Sequence, residues 1–169
     1  MVAVILGVDP GSRRTGFGLL EEKHGDWVHL DHGVIEVPAQ ADFAHRLHLI
    51  YQGLREVFLR YQPRATVVEK IFLGKNADSA FKLGHMRGLA LQLAWAQQSE
   101  IFEYAPRSVK KVITGSGAAD KEQVQRLVCH ILRLPQPMSQ DASDALALAL
   151  SHSRWVENGQ RLKAMGVDL

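Results

Sequence analysis

The sequence predicts a single α/β domain in which helices cover a mixed sheet, and three observations carry that prediction. Ala3-Val-Ile-Leu-Gly-Val8 is a continuous apolar run stopped by Asp9-Pro10-Gly11, as expected for a strand buried on both faces. From Asp42 the hydrophobic spacing turns helical, and beyond Pro63 strand-like and helix-like stretches alternate. The chain has 169 residues, 46% hydrophobic and 22% charged, which suits one core and not two.

The elements follow in order. The turn from Pro10 to Thr15 joins the first strand to Gly16-Phe-Gly-Leu-Leu20, making a hairpin. Trp27 to Val37 is a third strand, with Gly33 marking a bulge or bend, and Pro38 closes it. Phe43, Leu47, Ile50, Leu54, Val57, Phe58 and Tyr61 form one helical stripe that ends before Pro63. Ala65 to Phe72 is rich in β-branched residues and predicts a strand. Asn76 to about Gln98 is a helix full of small residues, either deeply buried or forming a subunit contact. Ile101 to Tyr104 is a short strand, and Pro106 opens a short helix that breaks at Gly115-Ser-Gly-Ala118. Helices from Asp120 to Arg133 and from about Met138 complete the order βββ-α-β-α-β-α-α-α. The first three strands form an antiparallel meander and the later ones join by helical crossovers. The domain is expected to cover residues 1–157, with 158–169 a short, loosely held tail.

Bulk properties narrow the setting. The formal net charge of +2 does not by itself indicate nucleic acid. The single cysteine, Cys129, excludes an intrachain disulfide and a cysteine-built zinc site; its apolar surroundings predict a quiet, buried thiol. The apolar run at Val2 to Val8 is too short to span a membrane and has no signal-like flanks, so a reduced cytoplasmic location is expected.

Four carboxylates stand out. Asp141 and Asp144 share one face near the start of an otherwise apolar helix. Helix capping explains Asp141 alone; it does not explain a second like charge beside it. Asp9 ends the first strand, where turn chemistry is the plain explanation. Glu69 interrupts Val67-Val68-Glu-Lys-Ile71-Phe72, where an unpaired carboxylate is costly. If the first and fourth strands are neighbours, the last helix can complete a four-carboxylate cluster. Hard oxygen donors without cysteine or paired histidines favour Mg²⁺ or Mn²⁺. Two such ions roughly 3.5–4 Å apart activate water and stabilise a leaving oxygen in phosphodiester hydrolysis. Nuclease chemistry is therefore the functional reading. His45 and His48 fit a solvated helix face and receive no role. Arg13, Arg14, Lys70, Lys75, Arg107, Lys110, Lys111 and Lys121 are ordinary surface charges taken singly, and phosphate guides if they surround one acidic site. Phe72 is either core or a platform for an unpaired base.

Gly7-Val-Asp-Pro-Gly-Ser-Arg-Arg-Thr-Gly-Phe-Gly18, Val68-Glu-Lys-Ile-Phe72 with Lys75-Asn-Ala-Asp-Ser-Ala80, and Asp141-Ala-Ser-Asp-Ala-Leu-Ala147 together resemble the RuvC family of Holliday-junction resolvases. The similarity runs in order over about residues 3–153. It implies a ribonuclease H-like fold with a five-stranded mixed sheet, a homodimer, and Mg²⁺-dependent paired nicking of four-way DNA junctions. By position, the resemblance makes Asp9, Glu69, Asp141 and Asp144 the metal-binding and catalytic carboxylates; two ions per site are expected from the phosphodiester chemistry above. It gives Phe72 a place near the junction centre and associates Lys110 and Lys121 with DNA at the active site; Lys75 and Arg107 are expected DNA contacts as basic residues flanking that site. The Asn76–Gln98 helix would form the dimer, and RuvA and RuvB would be partners. A preference for short thymine-containing target sequences is also implied. Ser143 stands where alanine is more usual in the family; adding no charge, it should have little effect.

Three competitors are weaker. A nucleotide-binding protein of the sugar-kinase and actin type would need a second half to close over ATP. A non-catalytic junction-binding protein would be expected to lose a carboxylate. A ribonuclease acting on RNA–DNA hybrids shares the chemistry, but Phe72 and the small-residue helix favour the junction.

Overall fold

The first apolar run becomes the centre of the sheet. In the computed structural model, which describes residues 3–70 and 77–164, the five strands are β1 (Val4–Asp9), β2 (Arg14–Lys23), β3 (Asp26–Glu36), β4 (Ala65–Glu69) and β5 (Glu100–Tyr104). Their spatial order is β3-β2-β1-β4-β5. β1 and β2, and β2 and β3, pair antiparallel, whereas β1–β4 and β4–β5 are parallel. The helices are α1 (Phe43–Tyr61), α2 (Ala77–Ala96), α3 (Pro106–Thr114), α4 (Lys121–Leu132) and α5 (Gln140–Ala164). Both the meander and the helical crossovers match the element order read from the sequence.

Alternation along the strands sorts the helices into two layers. Leu6, Val8, Leu19 and Val68 face one way, onto Ile50, Leu54 and Phe58 of α1 and Met86, Ala90 and Leu93 of α2. Ile5, Leu20, Ala65 and Val67 face the other way, onto α3, α4 and α5. β1 is thus covered on both faces, which is why its sequence is apolar without alternation. Helix ends are set locally: Asp42 caps α1 through the His45 N–H at 2.8 Å, and Asp120 caps α4 through the Gln123 N–H at 2.7 Å. Gly115, with φ of 79°, closes α3 in the left-handed conformation that glycine accepts without strain.

Several boundaries differ from the sequence reading. The bulge lies between Leu19 and Leu20, opposite Leu30, and not at Gly33. Gly33 is small for another reason: the Phe17 ring lies over it, and a Cβ there would come 2.7 Å from that ring. Asp141 is not the cap of α5; Ser139 takes that place, its hydroxyl accepting from the Ala142 N–H at 3.4 Å. α5 runs from Gln140 to Ala164, without a break at residue 157. Cys129 is buried as expected, and burial pushes its thiol pKa up.

Candidate active site

Asp9 and Glu69 reach the same place because two strand rules agree. The parallel register pairs Val8 with Val68, so the next residues, Asp9 and Glu69, end neighbouring strands side by side. Alternation then points Asp9 to the face shared with Ile5 and Gly7, and Glu69 to the face of Ala65 and Val67. That is the face α5 covers.

α5 can cover it closely because the sheet beneath is bare of side chains. Gly7 pairs with Gly18, and Gly16 pairs with Asp9, so three glycines sit on this face at the β1–β2 seam. A Cβ on Gly7 would lie 2.9 Å from the Ala149 nitrogen, and one on Gly18 would lie 2.7 Å from the Leu146 nitrogen. A Cβ on Gly16 would overlap the Asp141 carbonyl. The helix backbone therefore rests on the strands themselves, with its first turn at the end where Asp9 and Glu69 stand. The adjoining turn is pinned by buried Thr15, whose hydroxyl donates to the Gly11 carbonyl at 2.9 Å.

Asp9, Glu69 and Asp144 line one cavity of about 330 Å³, together with Pro106, Val109 and Lys110 of α3 and Lys121 and Val124 of α4. Burial pushes the Asp9 pKa up to about 7, reinforced by the negative charges of Asp144, Glu69 and Asp141 and opposed by Lys121. Glu69 is also raised, first by burial and then by Asp144, with Lys121 and Lys110 acting the other way. Asp144 is held on both oxygens: Gln140 Nε2 donates to Oδ1 at 2.9 Å, and Lys121 Nζ reaches Oδ2 at 3.3 Å. Lys121 is correspondingly raised, with Asp144 as the main cause. Lys110 Nζ donates to the Ala119 carbonyl at 2.7 Å, which fixes it on the cavity wall.

Asp141 stands apart from that cavity. Arg14 Nε donates to its Oδ2 at 2.7 Å, while Arg14 Nη1 meets Glu36 Oε1 at 2.8 Å. Among the described residues no three acidic or histidine side chains lie in metal-holding geometry, since Asp141 turns to Arg14 and Asp144 to Lys121 and Gln140. The donor set still suits a hard divalent ion. Carboxylate oxygens dominate, and after burial the charges of Asp144, Glu69 and Asp141 are what raise the Asp9 pKa, so the carboxylates lie close enough to repel one another.

The other sequence-derived candidates fall unevenly. Arg107 is exposed on α3 and does not line the cavity. Phe72 and Lys75 lie outside the described residues. His45 and His48 are exposed on α1, as expected of a solvated face. Sequence reasoning did not single out Gln140, although its position four residues before Asp144 on a helix was a readable signal. It also took the glycines of β2 as ordinary strand residues, although glycine within a strand signals close backbone approach.

Comparison with known proteins agrees with this architecture. The sequence model of one family, described as crossover junction endodeoxyribonuclease RuvC, matches residues 5–152. The chain is 50% identical over 153 residues to a Bdellovibrio bacteriovorus protein named crossover junction endodeoxyribonuclease RuvC, covering 90% of this chain and 91% of that one. It is 43% identical over 168 residues to the Sodalis glossinidius protein of the same name, covering 99% and 96%. The solved structure of T. thermophilus RuvC in complex with Holliday junction substrate superposes with a TM-score of 0.85 at 31% identity, covering 93% and 96% of the two chains. With its ribonuclease H-like sheet and a match spanning most of its length, the chain belongs to the RuvC family of crossover junction endodeoxyribonucleases.

Proposed function

We propose that this protein is a Holliday junction resolvase, a metal-dependent endonuclease that makes paired, symmetric nicks in four-way DNA junctions. The observation that carries the reading is the cavity where Asp9, Glu69 and Asp144 meet from three separate elements, with Lys110 and Lys121 on the facing helices. Asp9, Glu69, Asp141 and Asp144 would hold Mg²⁺, with Mn²⁺ able to substitute and two ions per site. When bound, the ions supply charge for activating water and for stabilising the leaving oxygen. Lys121 and Lys110 hold positive charge over the cavity, where a scissile phosphate would enter. Gln140 fixes the Asp144 carboxylate, so less side-chain freedom is lost when the site assembles. Phe72 is assigned to the DNA path by family resemblance, and Arg107 and Lys75 as basic residues able to guide phosphates.

A second copy of the chain fits the reading. Among the described residues nothing covers one face of α2, where Phe81 is 72% and Trp95 80% exposed. Between them Gly84 and Gly88 have open space where a Cβ would stand. Two such faces can pack as a two-fold dimer, matching a junction that needs two cuts. RuvA and RuvB are assigned as branch-migration partners. Among the described residues no helix is long and apolar enough to cross a membrane. A cytoplasmic location is part of this proposal.

The deciding experiment is cleavage of a synthetic mobile four-way junction with Mg²⁺ or EDTA, beside linear duplex and RNA–DNA hybrid. Symmetric nicks in the junction alone, and only with Mg²⁺, are expected. Asp144→Asn should bind the junction and leave it uncut. Preferential hybrid cleavage would make the protein a ribonuclease instead, and normal turnover by Asp144→Asn would remove that residue from the site.

A further inference from the structure

Both carboxylates of the α5 turn are held by cations, but only one of those cations draws its partner out of the cavity. Lys121 lines the cavity with Asp144. Arg14 is the first residue of β2 and pairs in register with Glu36, the last residue of β3. Its guanidinium spans Glu36 and Asp141, at 2.8 and 2.7 Å, so Asp141 leans toward the β2–β3 edge. The planar fork of arginine presents donors in two directions at once, which a lysine ammonium on a single stem does less well. The Asp141 carbonyl lies close over Gly16, which holds this turn of α5 against the sheet. Turning the Asp141 side chain toward the cavity breaks its bond to Arg14.

We propose that Arg14 is a positioning residue that competes with the divalent cation for Asp141 and thereby sets the metal concentration at which the site loads. The inference rests on the reading of Asp141 as a metal-holding carboxylate. Arg14 is 48% exposed and its partner 30%, so the pair is a partly screened one that a dication can displace. Removing the guanidinium frees the Asp141 oxygen and takes away one repelling charge, and both changes favour the ion.

The test is Mn²⁺ titration of the full chain, following loss of the free-ion electron paramagnetic resonance signal, which needs no catalysis. Arg14→Gln is expected to bind Mn²⁺ about threefold or more tighter than the parent, from the usual worth of such a pair. Arg14→Lys should fall between the two. Arg13→Gln removes a neighbouring exposed charge and should change affinity much less, which separates the contact from bulk charge. The Mg²⁺ concentration for half-maximal junction cutting should fall in Arg14→Gln by a similar factor. Asp9→Asn serves as the site control: if it binds Mn²⁺ as the parent does, the metal-site reading fails and this inference with it. If Asp9 is required but Arg14→Gln binds no tighter, or Arg13→Gln gains as much, the role given to Arg14 is overturned and the metal site stands.

Discussion

Gly16→Ala tests the idea that bare strand backbone positions the acidic helix turn. Gly16 pairs with Asp9 on β1, and a Cβ there would overlap the Asp141 carbonyl. Ordinary van der Waals contact begins near 3.4 Å, so the first turn of α5 would have to retreat by more than about 1 Å. The obstacle is backbone, not a flexible side chain, so local rotamer change cannot absorb it. Overpacking of this kind costs about 2 kcal/mol, or about 5 °C in Tm for a domain of this size. The larger consequence is geometric. Asp141 and Asp144 ride on the turn that moves, whereas Asp9 and Glu69 stay with the strands. A misplacement of about 1 Å is enough to lower catalysis by about a hundredfold. Single-turnover cleavage of a four-way junction at saturating Mg²⁺, with thermal unfolding and near-ultraviolet circular dichroism on the same sample, measures both effects. A folded Gly16→Ala protein that cuts within a few-fold of the parent would refute the reasoning, because the helix would then not depend on the glycine seam.

Other expectations follow from separate parts of the fold. The Ser143 hydroxyl is buried on α5 and has no hydrogen-bond partner among the described residues. Ser143→Ala should therefore raise stability by about 1 kcal/mol in urea unfolding while cleavage stays unchanged; a loss of stability would count against it. His152 is 2% exposed, accepts or donates a 2.9 Å bond with the Tyr104 hydroxyl, and lies tilted against Phe102 with ring centres 4.0 Å apart. Burial pushes its pKa down to about 4, below the 6.5 of an unfolded histidine. The unfolded chain then takes up the proton first as pH falls, so stability drops between pH 6.5 and about 4, by up to about 3 kcal/mol. His152→Leu should lose less stability than the parent between pH 7 and pH 4.5, and equal losses would show that this histidine is not responsible. Phe81→Glu on the open face of α2 should shift the protein toward monomer in light scattering and leave the unfolding of each subunit nearly intact. An unchanged mass would count against the proposed dimer face.

The sequence by itself determined the order of elements, and it marked the carboxylates by the places where they break local rules. A strand as apolar as Val4 to Val8 must be covered on both faces, so it had to be central, and Asp9 at its end had to sit near the middle of the sheet. Glu69 in β4 and the pair Asp141 and Asp144 on α5 were visible because charge in buried elements is costly without a partner. Period-two alternation even fixes the face of Asp9 relative to Ile5 and Gly7.

Other features were decided only by tertiary structure. Strand adjacency is a long-range choice that local periodicity does not encode, so the pairing of β1 with β4, which joins Asp9 to Glu69, entered the sequence reading as a condition. The glycines of β1 and β2 looked like strand residues until α5 lay across them, since a missing side chain says only that something comes close. The bulge moved from Gly33 to Leu30 because the ring of Phe17, from the neighbouring strand, explains the glycine. Arg14 looked like one of several phosphate guides. Its bond to Asp141, 127 positions away, exists because the β2–β3 edge and the α5 turn are packed together, and only the folded chain sets that distance.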